Sequence, residues 1–325
     1  MKTTVARIHA HGGPEQLRLE TADLAEPGPG EARVRHTAIG LNFQDVYHRS
    51  GAYPLAMPSG IGTEAAGVVE ALGPGAAGPA VGTRVCYAGG APGAYATHRN
   101  VPAERLLAIP AGISDEVAAA VLLKGMTVEY LLNRCVPIRA GQDVLFYAAS
   151  GGVGLLAGQW GRHLGARMIG VAGGAAKCEL ARANGYAEVI DRAREDIAAR
   201  VRELTGGAGV PVAYDSVGKA TFEATLKCLA PRGFFVSFGT TTGAPPPVEA
   251  ATLQKLGSLY FTRPTLVTYT ASRADLEASA AAVFALVAQG VLRVSIGARY
   301  ALADVARAHA DLEAARTQGS SVILP

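Results

Sequence analysis

Ala149, Gly151 and Gly154, in the stretch YAASGGVGLLAGQW, occupy the three small-residue positions of a GxGxxG fingerprint, with alanine for the first glycine. Small residues at that spacing let backbone N–H groups approach a pyrophosphate, and the positive end of a following helix faces the same anion. The last glycine lets helix and strand pack closely. The stretch follows the apolar run DVLF directly, and Val153, Leu156, Ala157, Trp160 and Leu164 keep helical spacing toward a sheet. About 20 residues after such a fingerprint, a site for a free ribose 2′-hydroxyl carries Asp or Glu. Here that count lands on Gly173 and Gly174, with Lys177 just beyond and Arg192 ending the next strand, EVIDR. A carboxylate would repel a 2′-phosphate, glycine leaves room for one, and two cations suit it. The expected cofactor is therefore NADPH.

The elements that must position these residues follow a clear rhythm. From about residue 125, DVLFYAA, RMIGVA, AEVID, VAYDSVG, FFVSFG and SLYFT read as strands. Helical stretches alternate with them, namely GLLAGQWGRHLG, KCELARANG, EDIAARVRELTGG and TFEATLKCLAPRG, several ending at glycine. That alternation predicts a parallel, doubly wound α/β sheet of the Rossmann kind. Before it the chain is mostly β: ARVRHTAIGL, AAGVVEAL and GTRVCYA, the last two separated by the Gly/Pro loop 73–81, then GAYATHRN and RLLAIP. SDEVAAAVLLKGMTVEYLLNR turns helical behind Ser114 as N-cap. After Arg263 come DLEASAAAVFALVAQG, ARYALADVARAHADLEAA and a terminal strand SSVILP, a tail expected to rejoin the first domain. The expected domains are 1–124 with 265–325, and 125–264.

Length and composition bound the rest. The 325 residues suggest about two domains, and 49% hydrophobic residues suffice for a sizeable core. The net charge of +3, from 30 basic and 27 acidic residues, is too balanced to imply nucleic acid or an anionic membrane surface. No signal peptide and no membrane span are visible. Cys86, Cys135, Cys178 and Cys228 are scattered without a CxxC pair, as in reduced core thiols of a cytoplasmic protein. The seven histidines show no metal spacing, so no metal is expected. There is no Tyr-x-x-x-Lys pair, GxSxG elbow or P-loop. Hydride transfer without a metal favours acceptors already electrophilic, such as quinones or conjugated enones.

These residues carry a resemblance. HGGPEQL, AIGLNFQDVYHRSGAYP, PSGIGTEAAGVV, LLKGMTVEYLL, AASGGVGLLAGQW, YDSVG and GSLYFTRPTL closely resemble the NADPH-dependent quinone oxidoreductases. These form the zinc-free, zeta-crystallin-like branch of the medium-chain dehydrogenase/reductase superfamily. The resemblance covers nearly the whole chain and implies that the first domain is a mostly β, GroES-like catalytic domain. Where zinc alcohol dehydrogenases of that superfamily carry a catalytic cysteine, this chain has Asn42; where they carry a histidine before glutamate, it has Thr63 before Glu64. The resemblance further implies cofactor contacts. Phe43, Asp45 and Tyr47 would line the nicotinamide cleft beside Asn42, Thr127 and Tyr130 would lie at the interdomain helix, and Gly152 and Val153 would hold the pyrophosphate beside Gly151. Gly173, Lys177 and Arg192 would take the adenosine phosphate, and Ser216, Phe238, Gly239, Thr240 and Thr241 would follow later strands. Arg263 stands at the domain return. The family often has tyrosine at the position of Arg192, and its arginine two residues before the threonine of TQG is Ala315 here, with Arg316 one later.

The implied reaction is hydride transfer from nicotinamide C4 to a quinone, with single-electron transfer as a variant. Asn42, Tyr47 and Tyr53 are the candidate donors to a developing phenolate-like oxygen, and Tyr53 is also a candidate proton donor. Asp45 is expected to orient its neighbours. An enoyl or enone reductase shares the scaffold and cofactor. A non-catalytic binder is the rival of another class, because some zeta-crystallins serve as lens proteins or bind single-stranded RNA. Relatives pair as homodimers through the segment VEAATLQKLGSLYFTRP, and the same assembly is expected here.

Overall fold

A computed structural model describes all 325 residues. The chain divides into two compact units. One comprises Met1–Met126, Thr270–Gln289 and Val294–Pro325; the other comprises Thr127–Tyr269 and Gly290–Arg293.

The second unit is built on six strands, β1 (Asp143–Tyr147), β2 (Arg167–Ala172), β3 (Glu188–Asp191), β4 (Val210–Asp215), β5 (Leu229–Ser237) and β6 (Tyr260–Thr262). All pair in parallel, in the order β3-β2-β1-β4-β5-β6. This is the doubly wound Rossmann topology, in which the order reverses between β1 and β4 and ligands bind outside the carboxyl ends of the strands. The strands read as near-continuous apolar runs because helices cover them: Leu145, Ile169, Val171, Ala213 and Phe235 form a buried core with Val201, Phe222 and Leu226. All six expected strands are present. One helix is shorter than its pattern suggested. TFEATLKCLAPRG stops being helical at Cys228, and Leu229–Ser237 is already strand. Pro231 disfavours helical backbone at Ala230, and β4 offers Leu229 a partner at Val210.

The first unit is mostly β. A seven-stranded sheet runs in the order Ile296–Ala301, Ser320–Leu324, Glu31–Leu41, Glu64–Leu72, Arg84–Ala88 and Leu107–Ala108, with His98–Pro102 also paired to Glu31–Leu41. A smaller sheet pairs Lys2–Ile8 with Arg18–Asp23 and Ser59–Gly60. The tail does rejoin this unit: Ser321 to Ile323 pair antiparallel with Ile39 to Leu41. The segment ARYALADVARAHADLEAA splits, its first residues completing the strand Ile296–Ala301 and its later ones forming the helix Val305–Glu313. The core joins Ile8, Val34, Ile39, Ile61, Tyr95 and Ile323. Ser114 caps the helix Asp115–Tyr130, its Oγ accepting the Val117 N–H at 3.2 Å.

At the fingerprint, the last small residue is sterically obligatory. A Cβ on Gly154 would stand 2.2 Å from the Ala148 carbonyl oxygen and 2.8 Å from Ala149 backbone atoms. Backbone cannot swing aside as a side-chain tip can. Gly154→Ala is expected to destabilise the second unit by about 1–3 kcal/mol, the usual cost of forced overpacking. Urea unfolding followed by Trp160 fluorescence checks this, and an unchanged midpoint would contradict it.

Candidate cofactor and reaction site

The fingerprint turn leaves β1 through Ala148, which adopts a left-handed conformation at φ 52°. The Gly151 N–H is used within the turn, donating to the Ala148 carbonyl at 2.9 Å. The helix Gly152–His163 then starts at Gly151 with no side-chain cap. Its first-turn amides, on Gly152, Val153 and Gly154, have no acceptor inside the helix, since the first bond is Leu155 N–H to Gly151 O at 2.8 Å. Three donors and the positive end of the helix dipole thus face the carboxyl edge of the sheet beside the β1/β4 reversal. A pyrophosphate fits that cradle.

The next strand repeats the device. After β2 the chain turns through Gly173 and Gly174 (φ 90°), and the helix Ala175–Ala183 again begins without a side-chain cap. Its third residue is Lys177, half-buried. A Cβ on Gly173 would lie 3.1 Å from Arg192 Nε and 3.5 Å from its Cζ, so the guanidinium rests directly over this glycine. Parallel pairing of Ala172 with Asp191 causes this by bringing the end of β3 against the glycine turn. The same pairing introduces an acid that residue counting missed. Asp191 Oδ1 accepts the Gly174 N–H at 2.8 Å and the Ala193 N–H at 3.1 Å, and these bonds hold its carboxyl below the usual range. It ties down the loop that carries the two cations.

Beyond the reversal, the loops after β4 and β5 are laced together. Phe238 N–H donates to Asp215 O at 2.8 Å and Thr241 N–H to Ser216 O at 3.1 Å, while a Cβ on Gly239 would strike Ser216 at 2.8–3.0 Å. The fully buried Asp215 organises the first loop, accepting from the Val217 and Gly218 amides and from the Thr221 and Thr225 hydroxyls. Burial nevertheless raises its pKa. Arg263, directly after β6, donates to Ser237 O at 2.9 Å. Ser216, Phe238, Gly239, Thr240, Thr241 and Arg263 therefore share one sheet edge with Gly151–Val153, Gly173 and Arg192. Thr127 and Tyr130 are both buried, and Tyr130 stacks on Tyr269 with ring centroids 4.6 Å apart.

In the first unit, Asn42 caps the helix Phe43–Ser50. Its side chain accepts the Asp45 N–H, its own N–H donates to Asp45 Oδ2 at 3.0 Å, and its Nδ2 donates to Glu64 Oε2 at 2.8 Å. Asn42 Nδ2 carries a second hydrogen beyond the one given to Glu64. Glu64 is wholly buried, also accepting the Leu123 N–H and lying 3.7 Å from Lys124 Nζ. Gly40 makes room for it, since a Cβ there would stand 2.1 Å from Glu64 Oε2. Asp45 has no exposed surface, a placement that suits a residue orienting its neighbours. Phe43, Tyr47 and Tyr53 form an aromatic row with centroid spacings of 5.3 and 5.1 Å. Tyr47 is 9% exposed and Tyr53 36%, so Tyr53 is the more accessible residue. Arg316 is committed to Asp311, 2.8 Å from Nε, so any anion it met would compete with that carboxylate.

The fold and these loops define a two-domain dehydrogenase. Residues 152–286 match the zinc-binding dehydrogenase family and residues 28–111 the alcohol dehydrogenase GroES-like domain. The chain is 50% identical to a quinone oxidoreductase of Pseudomonas aeruginosa over 97% of this chain and 98% of that one. It is 42% identical to a 2-haloacrylate reductase of Burkholderia, over 98% of each. The crystal structure of Escherichia coli quinone oxidoreductase complexed with NADPH superposes with a TM-score of 0.97 at 45% identity, covering 99% of this chain and all of that one. The chain belongs to the quinone oxidoreductase family of the medium-chain dehydrogenases/reductases. The donor set does not fit the zinc of the wider class: an amide bonded to a carboxylate stands at Asn42, and no three His, Cys, Asp or Glu side chains converge.

Lys177→Ala and Arg192→Ala are each expected to raise KM for NADPH about tenfold or more while changing KM for NADH little, as loss of a charge-assisted phosphate contact does. Steady-state kinetics with both cofactors checks this, and equal losses would refute it.

Proposed function

We propose that this chain is an NADPH-dependent quinone reductase. The observation that supports it most is the pair of uncapped helix N-termini on one sheet edge, the second overlaid by Arg192 and followed by Lys177. The Gly152 and Val153 amides hold the pyrophosphate, with Gly151 shaping the turn beneath it; Gly173, Lys177 and Arg192 hold the 2′-phosphate. Ser216, the Phe238–Thr241 loop and Arg263 shape the same edge. When bound, NADPH supplies a hydride equivalent. The chain's own residues place the acceptor and meet the charge that develops on its oxygen. Tyr53, the more exposed of the two tyrosines, is the first donor, Tyr47 packs against its ring, and the second Asn42 N–H is another. A quinone gains a hydride and a proton overall, and the proton comes from Tyr53 or from water.

The kinship to a 2-haloacrylate reductase favours a second reading, reduction of a conjugated double bond. There the proton must reach carbon, which makes a positioned donor more important. NADPH oxidation against a panel of quinones and enones separates the two. Tyr53→Phe is expected to lower kcat with enones about a hundredfold, the span of general-acid contributions, and with quinones only slightly. Activity with neither class would remove both readings.

The assembly we propose is a homodimer joined through β6. That strand is an edge with a single partner in the chain, and Tyr260 on it is 54% exposed. No helix is long and apolar enough to cross a membrane. Four unpaired cysteines suit a reducing cytoplasm. Light scattering is expected to give twice the 33.3 kDa chain mass, and a monomer mass would refute the dimer.

A further inference from the structure

The helix that carries Tyr47 is tethered by a buried polar chain. Tyr95 Oη donates to Asp45 Oδ2 at 2.8 Å and lies 3.1 Å from His309 Nε2 on the helix Val305–Glu313. Tyr95, Asp45 and His309 are all buried. Four residues along the first helix from Asp45, the buried Arg49 bridges to Glu313 Oε1 at 2.7 Å, on the same partner helix as His309. Two ties therefore join these helices, one at each end of Phe43–Ser50.

The protons in the chain can be placed. Tyr95 has one, and an ionised Asp45 takes it. His309 must then present Nε2–H to the Tyr95 oxygen, leaving Nδ1 as a bare lone pair. His309 Nδ1 indeed has no partner, which costs less for a lone pair than for a buried N–H. Burial and the nearby Arg49 hold the imidazole neutral, at a pKa of about 3. Protonated on Oδ2, Asp45 would reverse every bond in the chain and leave His309 with an unpaired buried Nδ1–H; protonated on Oδ1, which has no partner, it would itself bury an unpaired O–H. The assembled form is thus the ionised one.

We infer that Tyr95 and His309 are positioning residues for the reaction, acting through Asp45 to hold the first turn of helix Phe43–Ser50, with Asn42 and Tyr47, in its working place. This rests on the proposed reductase reading. The groups facing the Asp45 carboxyl are the Asn42 N–H, Tyr95, Lys124 and Glu64, with His309 and Arg49 behind Tyr95. Desolvation wins among them and pushes Asp45 up to about 7, so the tie titrates near neutrality. Activity should fall on the acid side as Asp45 takes up a proton. The Tyr95 bond lowers that pKa, so removing it moves the acid limb to higher pH.

Tyr95→Phe is expected to cut kcat about tenfold with KM for NADPH within about twofold, the signature of a misplaced reaction geometry. Its acid limb should rise by roughly one pH unit. His309→Gln keeps a donor toward Tyr95 and should retain the wild-type limb, whereas His309→Leu should move it upward. Phe222→Leu, a core change in the other unit, should leave the limb where it is. Amide exchange over residues 42–49, followed by mass spectrometry without substrate, should quicken in Tyr95→Phe and not in Phe222→Leu. In an active enzyme, an unmoved limb in Tyr95→Phe, or one moved equally by Phe222→Leu, overturns the positioning role. A wild-type protein inactive with both acceptor classes sinks the reductase reading instead, and unchanged exchange in Tyr95→Phe then still refutes the tether.

Discussion

The contact of Gly154 with the backbone of Ala148 and Ala149 is the constraint on which the second unit turns. A helix laid that close to the strand before it begins at Gly151, which has no side chain to cap it. Its first-turn amides are left without acceptors, and they stand where the strand order reverses. Anion binding here follows from a packing requirement, because the small residues that permit the approach also expose the donors. The turn after β2 uses the same logic, with Gly174 in the left-handed region before another uncapped helix.

In the proposed reading, selectivity for a phosphorylated ribose depends on how β3 is paired. Arg192 is distant from Gly173 in sequence but is placed over it by the register of two parallel strands. Asp191 lies beside it as a charged group, its Oδ1 accepting the Gly174 and Ala193 amides and its Oδ2 4.0 Å from Arg194. Bonded to two backbone donors, this carboxylate organises the loop and stays ionised.

The first unit meets a different difficulty, the burial of carboxylates. Glu64 and Asp45 lie wholly inside, and desolvation raises the pKa of both. Glu64 is compensated by Lys124, Asn42 and the Leu123 amide; Asp45 has only neutral donors, the Asn42 N–H and Tyr95. The hold on the helix bearing Tyr47 rests on these bonds, with Asp45 Oδ1 and His309 Nδ1 left as bare acceptors in the interior.

Much was legible from residue order alone. Apolar runs alternating with amphipathic stretches specify six parallel strands, because crossover helices cover both faces of such a sheet, and GxGxxG spacing marks the turn because only small residues fit it. The glycines in place of an acid, with Lys177 and Arg192, were likewise readable, since local spacing carries that information. Tertiary structure alone decided what rests on long-range pairing. It seats Arg192 on Gly173, gives Asp191 its loop, buries Asp45, and joins Tyr95 to His309 across 214 residues. Periodicity reports which face of an element is apolar; it does not report which polar atoms meet once distant elements share a core.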